Sequence, residues 1–235
     1  MNGRVASVEE LAGAIPPGGR KLVAIGGPPG AGKTTLAMRL ATILSERKRQ
    51  SVAVQMDGWH LSNGELASRG LQARKGAPDT FDVPGLLNAI FRLKEMPDSR
   101  VYLPAYSRTV HEPIAASVLV DPSVEVIIFE GNYLLLGKPP WTEVRSQFDV
   151  TVCCSTRWHV CRERLVERQM ESGKSLTDAV EWVDHVDRMN FDTVKHQSHT
   201  DDSLLYEGPE LRASTQDRNE TESVLTALRR PLSAT

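Results

Sequence analysis

Eight consecutive residues, Gly27-Pro28-Pro29-Gly30-Ala31-Gly32-Lys33-Thr34, follow the pattern G-x-x-x-x-G-K-[ST]. The chemistry follows from the residue types. Glycines at 27, 30 and 32 let the backbone turn so that its N–H groups converge on an anion. Lys33 adds a full positive charge for β- and γ-phosphates, and the Thr34 hydroxyl can complete a Mg²⁺ shell. The flanks suit this use. Residues 22–25 form a short apolar run fit for a buried strand, and residues 35–45 carry apolar side chains at helical spacing. A helix opening directly after the loop turns its positive dipole end toward the same anion. Gly27, Gly30, Ala31, Gly32, Lys33, Thr34 and Thr35 are therefore expected to bind a nucleoside triphosphate.

Two further acids arrive on apolar runs. Residues 51–56 read as a second buried strand that delivers Asp57-Gly58-Trp59-His60. Ligands of open parallel sheets bind beyond the carboxyl ends of the strands, so Asp57 and His60 are expected on the rim of the phosphate loop. A carboxylate there can take a proton from a hydroxyl or hold a metal-bound water. The same residue also suits an Asx turn that merely ends a strand. Residues 124–129, Val-Glu-Val-Ile-Ile-Phe, end in Glu130-Gly131-Asn132-Tyr133. That pattern fits a Walker B strand whose acid serves a metal or its water, or a core strand that ends in a solvated glutamate.

The cationic candidates are more diffuse. Arg164 and Arg168 stand four apart and share one face of a helix. They can stabilise charge on a transferring phosphoryl group, or sit on a solvated face balanced by Glu163 and Glu167. The polar segment 61–82 holds Arg69, Arg74 and Lys75, of which Arg74 and Lys75 can face an anionic substrate. Residues 104–112 read as a loop after a short strand at 101–103. They gather Tyr106, Ser107, Arg108, His111 and Glu112, a set suited to hydrogen bonding a polar small molecule.

The remaining elements must position these groups. Residues 5–15 form a helical stripe opened by Ser7-x-x-Glu10, the spacing of a capping box, and closed by Pro16-Pro17-Gly18-Gly19. Residues 83–93 and 175–190 read as helices, 148–154 and 203–206 as strands, and 118–120 as an edge strand. Strands alternating with helices indicate an α/β domain. We expect an N-terminal helix and linker over 1–19, a domain over 20–208 and a polar tail over 209–235, with a helix at 220–228. Among 235 residues, 28 are basic and 30 acidic, so no positive excess favours a nucleic-acid partner. Cys153, Cys154 and Cys161 lack zinc-site spacing and read as reduced, buried thiols. Residues 1–20 do not form a signal peptide, and no window suits a membrane span. The expectation is a cytoplasmic protein without a membrane partner.

The second motifs separate the classes that share such a loop. No N-K-x-D stretch reads guanine, and a single acid, Glu130, follows the second apolar run. Gly27 to Thr35, Asp57-Gly58-Trp59-His60, Pro104-x-Tyr106-Ser107, Phe129-Glu130-Gly131 and the Arg164/Arg168 helix together resemble the phosphoribulokinase, uridine kinase and bacterial pantothenate kinase group. The resemblance spans residues 22–190. It is nearest to a bacterial branch linked with nucleosides, pantothenate or fructose transport.

The resemblance implies a three-layer α/β/α fold of the P-loop nucleoside triphosphate hydrolase type. Its five-stranded, mostly parallel sheet would carry a helical lid bearing Arg164 and Arg168. It also implies ATP and Mg²⁺, with Lys33, Asp57, Arg164 and Arg168 as catalytic residues and Asp57 as base or hydroxyl-positioning group. Thr34, Asp57 and Glu130 would serve the metal. His60, Arg74, Tyr106, Arg108, His111, Glu130 and Asn132 would face a small acceptor bearing a hydroxyl, such as a nucleoside, a pantothenate-like acid or a sugar. A nucleotide-binding regulator without transfer chemistry is the alternative, and a homodimer stays open. Ser107 stands where uridine kinases carry an acid, Pro113 where they carry an arginine, and His111-Glu112 where pantothenate kinases carry tyrosine and aspartate. The acceptor is therefore left unnamed.

Overall fold

Apolar strands linked by amphipathic helices build a parallel sheet, because each crossover lays a helix on a sheet face. The computed structural model describes residues 5–207. In chain order they form α1 (Val8–Ala14), β1 (Lys21–Gly26), α2 (Lys33–Glu46), β2 (Ser51–Gln55), α3 (Asn63–Ser68) and α4 (Val83–Glu95). β3 (Val101–Ser107), β4 (Glu112–Val120), β5 (Val126–Gly131), α5 (Trp141–Arg145) and β6 (Val150–Ser155) come next. The series ends with α6 (Trp158–Glu171), α7 (Leu176–Trp182), α8 (Arg188–Gln197) and β7 (Leu204–Glu207).

The main sheet has the order β2-β5-β1-β6-β7, and all of its pairs are parallel. This is the expected α/β fold with five parallel strands. β5 is buried along its whole length, between β1 and β2. Two apolar layers cover the sheet. One packs Leu86, Ile90 and Leu93 of α4 with Trp141 of α5 against Phe129, and the other packs Leu36, Leu40 and Leu44 of α2 with Leu165 of α6 against Ile25 and Ile128. The expected capping box opens α1: Glu10 N–H donates to Ser7 Oγ, and Ser7 N–H donates to the Glu10 carboxylate.

Register decides what the sheet presents. Gly26 of β1 lies beside Gly131 of β5, and Gln55 of β2 lies beside Glu130. The phosphate loop, the turn carrying Asp57 and the Glu130 end of β5 therefore leave the sheet together, at its carboxyl edge.

Only residues 108–111 of the expected loop 104–112 form a turn. β3 continues through Ser107 and pairs antiparallel with β4, so residues 118–120 join this ribbon and not the edge of the main sheet. Pro104 ended the expected strand too early. The register shifts between Leu103 and Ala105, and a two-stranded ribbon tolerates there a residue with no N–H to donate. Segment 61–82 is also more ordered than its polarity suggested: α3 is capped by Ser62, and short 3-10 turns span Gln72–Arg74 and Pro78–Thr80. The helix expected over 175–190 is two helices joined by a π turn at Val183–Asp187. The tail 209–235, with its expected helix at 220–228, lies outside the described residues.

Candidate active site

The phosphate loop runs from the end of β1 into α2, as its spacing requires. Gly30 has φ +77, and a Cβ there would stand 2.8 Å from the Cys161 carbonyl oxygen of α6. Glycine is thus needed both for the turn and for the close approach of the helix. Lys33 and Glu130 are each 7% exposed. Lys33 Nζ donates to the Pro28 carbonyl oxygen (2.9 Å) and to Asn132 Oδ1 (2.7 Å). Burial lowers the lysine's pKa, while the charges of Glu130 and Asp57 work to raise it. Thr34 Oγ1 donates to Glu130 Oε1 at 2.7 Å. Burial raises the Glu130 carboxyl, with Lys33 opposing. A hydroxyl and a carboxylate oxygen, hard donors side by side next to a buried ammonium, fit Mg²⁺ held together with phosphate oxygens.

Asp57 lies on a 3-10 turn, Met56–Trp59, directly after β2. Its side chain is 39% exposed, in contrast to Lys33 and Glu130 beneath it. Its charge bears on Lys33, Glu130, His60, Tyr106 and Tyr133, which puts it at the middle of the cluster. His60 Nδ1 lies 2.9 Å from the Asp57 carbonyl oxygen. A carbonyl only accepts, so this nitrogen carries the proton and Nε2 is left as the free lone pair of a neutral ring. Burial depresses the His60 pKa and favours that neutral form. The ring lies between Phe81 and Tyr106, at centroid distances of 4.1 and 5.0 Å. Burial, then the nearby charges of Asp57 and Glu112, push the Tyr106 phenol up to about 12, so it stays a donor.

The ribbon reaches this cluster through a glycine. A Cβ on Gly58 would stand 2.5 Å from the Pro104 carbonyl oxygen, so β3 packs directly on the Asp57 turn and carries Tyr106 with it. The ribbon tip is tied down as well. Lys75 Nζ donates to Asn63 Oδ1 (2.5 Å) and to the His111 carbonyl (2.6 Å). Asn63 N–H donates to the Glu112 carboxylate at 3.0 and 3.1 Å. Tyr133 Oη donates to the Gly76 carbonyl at 2.6 Å, fixing the other side of the same segment.

The structure thus brings together Lys33, Thr34, Glu130, Asn132, Asp57, His60 and Tyr106. Arg108 lies in the ribbon turn, and its charge bears on both Tyr106 and Glu130. His111, at φ +54 in the same turn, contributes its backbone carbonyl to the clasp. Arg74 is exposed and pairs with Asp79 at 3.0 Å. Arg164 of α6 donates from Nη1 to the Gly30 carbonyl at 3.1 Å, which docks the helix on the phosphate loop. Arg168, one turn on, bears on Lys33. Asn63, Tyr133 and the buried Asp187 were not singled out in the sequence. Their roles come from contacts between distant segments, and only the polar cluster at 61–82 signalled one of them.

Comparison with known proteins gives the family and the fold. The model of the phosphoribulokinase / uridine kinase family matches residues 22–210. A Schizosaccharomyces pombe protein described as a candidate uridine kinase is 32% identical over 194 residues, covering 79% of this chain and 83% of the relative. A pantothenate kinase of Mycolicibacterium vanbaalenii is 29% identical over 150 residues, covering 60% of this chain and 47% of the relative. Among solved structures, a candidate fructose transport system kinase from Silicibacter sp. TM1040 superposes with a TM-score of 0.79. It is 33% identical and covers 86% of this chain and 98% of its own.

Proposed function

The chain belongs to the phosphoribulokinase / uridine kinase family, and from that premise we propose that it transfers the γ-phosphoryl group of ATP to a hydroxyl of a small metabolite. The observation that carries this reading is the gathering of Lys33, the Thr34–Glu130 pair and the half-exposed Asp57 at one sheet edge. Residues 20–208 form the catalytic unit in this reading, and nothing in it requires a nucleic acid or a membrane.

Each group has a task that its surroundings suit. The loop amides and Lys33 hold the β- and γ-phosphates, the lysine exchanging its contacts to Pro28 and Asn132 for phosphate oxygens. Thr34 and Glu130, with Asp57 nearby, would hold Mg²⁺, which would supply charge neutralisation at the phosphate oxygens. Asp57 accepts the proton of the attacking hydroxyl, being the accessible carboxylate of the cluster. Tyr106 donates a hydrogen bond to the acceptor, and the free Nε2 of neutral His60 accepts one. Arg108 and Asn132 stand beside the acceptor site, the ribbon turn with His111 bounds it, and Arg74, held by Asp79, would reach it only by leaving that pair. Arg164 and Arg168 of α6 meet the charge that develops on the transferring group. Positioning and charge neutralisation supply most of the acceleration.

The acceptor is a nucleoside, a pantothenate-like acid or a sugar, the classes named among the relatives. The test is Asp57→Asn. Transfer should fall by about 10²–10⁴, with ATP affinity within a few-fold of the parent. Parental turnover in the variant would remove Asp57 from the mechanism.

A further inference from the structure

One cation beside the site has no acid of its own. Lys75 follows the 3-10 turn Gln72–Arg74, and its Nζ donates to Asn63 Oδ1 at 2.5 Å and to the His111 carbonyl oxygen at 2.6 Å. Both acceptors are neutral. An ammonium carries three N–H donors, so one is left over. Lys75 makes no ion pair among the described residues, whereas Arg69 of the same segment pairs with Glu65 and Arg74 with Asp79. Glu112, whose charge reaches Lys75, holds the Asn63 N–H with both carboxylate oxygens, at 3.0 and 3.1 Å. Two carbonyl-type acceptors could be bridged by an uncharged amide, so the clasp by itself does not call for a cation.

Contacts place this ammonium on the acceptor side of the site. Lys75 Nζ lies 5.4 Å from the centroid of the Tyr106 ring. The Tyr106 ring lies 5.0 Å from that of His60, and His60 Nδ1 lies 4.0 Å from Asp57 Oδ1. Asp57, His60, Tyr106 and Lys75 are therefore joined in an unbroken series of neighbours. A half-exposed carboxylate stands at one end, a half-buried ammonium at the other, and two rings between them. A cation withdrawn in part from water gains more from an anion than a fully hydrated one does. Its flexible stem lets it meet a point charge without a fixed fork geometry.

We propose that Lys75 reads a negative charge on the acceptor: the metabolite carries a carboxylate or a phosphate besides the hydroxyl at Asp57, and that anionic group takes the third N–H of Lys75. This rests on the kinase reading for the hydroxyl and narrows its acceptor to hydroxy acids and phosphorylated sugars or polyols. Uncharged nucleosides and free sugars are then poor acceptors.

Pairs of compounds that share their hydroxyls and differ in charge test this: glycerate against glycerol, pantothenate against pantothenyl alcohol, and ribulose 5-phosphate against ribulose. Calorimetry on the protein loaded with Mg²⁺-ADP reads binding, and ADP release from Mg²⁺-ATP reads KM and kcat. The proteins are the parent, Lys75→Met, Lys75→Arg and Asn63→Ala. A metabolite extract divided by anion exchange into acidic and neutral fractions widens the panel. In the parent, binding and release are expected from the charged members or the acidic fraction, and the pair that responds tells carboxylate from phosphate. Lys75→Met should raise the KM of that acceptor about ten- to hundredfold, with kcat within a few-fold of the parent. Lys75→Arg should restore most of the loss. Asn63→Ala, which loosens the clasp and keeps the charge, should preserve the preference for the charged member. Equal binding of both members of a pair, an acceptor found in the neutral fraction, or a loss in Lys75→Met no larger than in Asn63→Ala would overturn the proposal. Lys75-dependent binding of an acid without phosphoryl transfer would count against the kinase reading alone, and transfer to an uncharged acceptor against this proposal alone. Neither binding nor release from any compound or fraction would remove both.

Discussion

Asp187→Asn should stabilise the folded protein at neutral pH. The native carboxyl titrates at about 6 against an ordinary value of 3.8, chiefly through burial. Between these values the folded state holds a proton that the unfolded chain has released, so stability falls as pH rises through the window. The penalty is absent below about pH 4, grows to about pH 6 and is complete above it. About two pH units correspond to roughly 3 kcal/mol at pH 8. Asparagine keeps the acceptor for the Gln169 side chain, but it puts an unpaired N–H₂ where Oδ2 stood, buried and without a hydrogen-bond partner, at a cost of about 1–2 kcal/mol. The net gain is then about 1–2 kcal/mol, or a Tm rise of about 3–6 °C for a domain of this size. Urea denaturation of both proteins at pH 5, 6, 7 and 8 would read the difference directly. A variant that loses stability relative to the parent as pH rises would refute the reasoning. It would mean that Arg168 and Lys174 already compensate the buried charge in full.

Three other substitutions probe the rest of the site. Gly30→Ala forces a Cβ to 2.8 Å from the Cys161 carbonyl at φ +77, and should cost about 2–4 kcal/mol, measured by denaturation, with ATP affinity lost in parallel. Lys33→Met should lower ATP affinity by about tenfold or more and turnover by about 10³ or more, while denaturation shows a fold at least as stable, because a desolvated ammonium is removed. Asn63→Ala removes the side-chain ties from α3 to the His111 carbonyl and to Lys75, and keeps the backbone N–H bond to Glu112. It should raise the acceptor KM several-fold and leave the ATP KM unchanged in steady-state kinetics.

The parts of the site legible in the sequence are those whose geometry is local. Gly27 to Thr34 specifies a turn within eight residues, and Asp57 and Glu130 each end an apolar run. The parallel rule then puts all three at one edge. The ribbon was only half legible. Residues 112–117 of β4 are not buried, and Pro104 interrupts the β3 pattern. Asp187 was illegible for a different reason. One acid in a helical pattern looks solvated until a π turn shifts the phase and turns it inward. The clasp of Asn63, Lys75 and His111 joins segments 36 to 48 residues apart, which no local spacing encodes.

Phosphoryl transfer itself is the central claim, and ADP release from Mg²⁺-ATP tests it most directly. The purified protein would be offered uridine, cytidine, pantothenate, fructose, ribulose 5-phosphate and glycerate in turn, and then a metabolite extract. The account predicts that one hydroxyl-bearing acceptor raises ADP release well above background hydrolysis, and that Asp57→Asn abolishes the increase. Tight ATP binding with no acceptor-dependent release, from the panel or from the extract, would contradict it and favour a nucleotide-binding regulator.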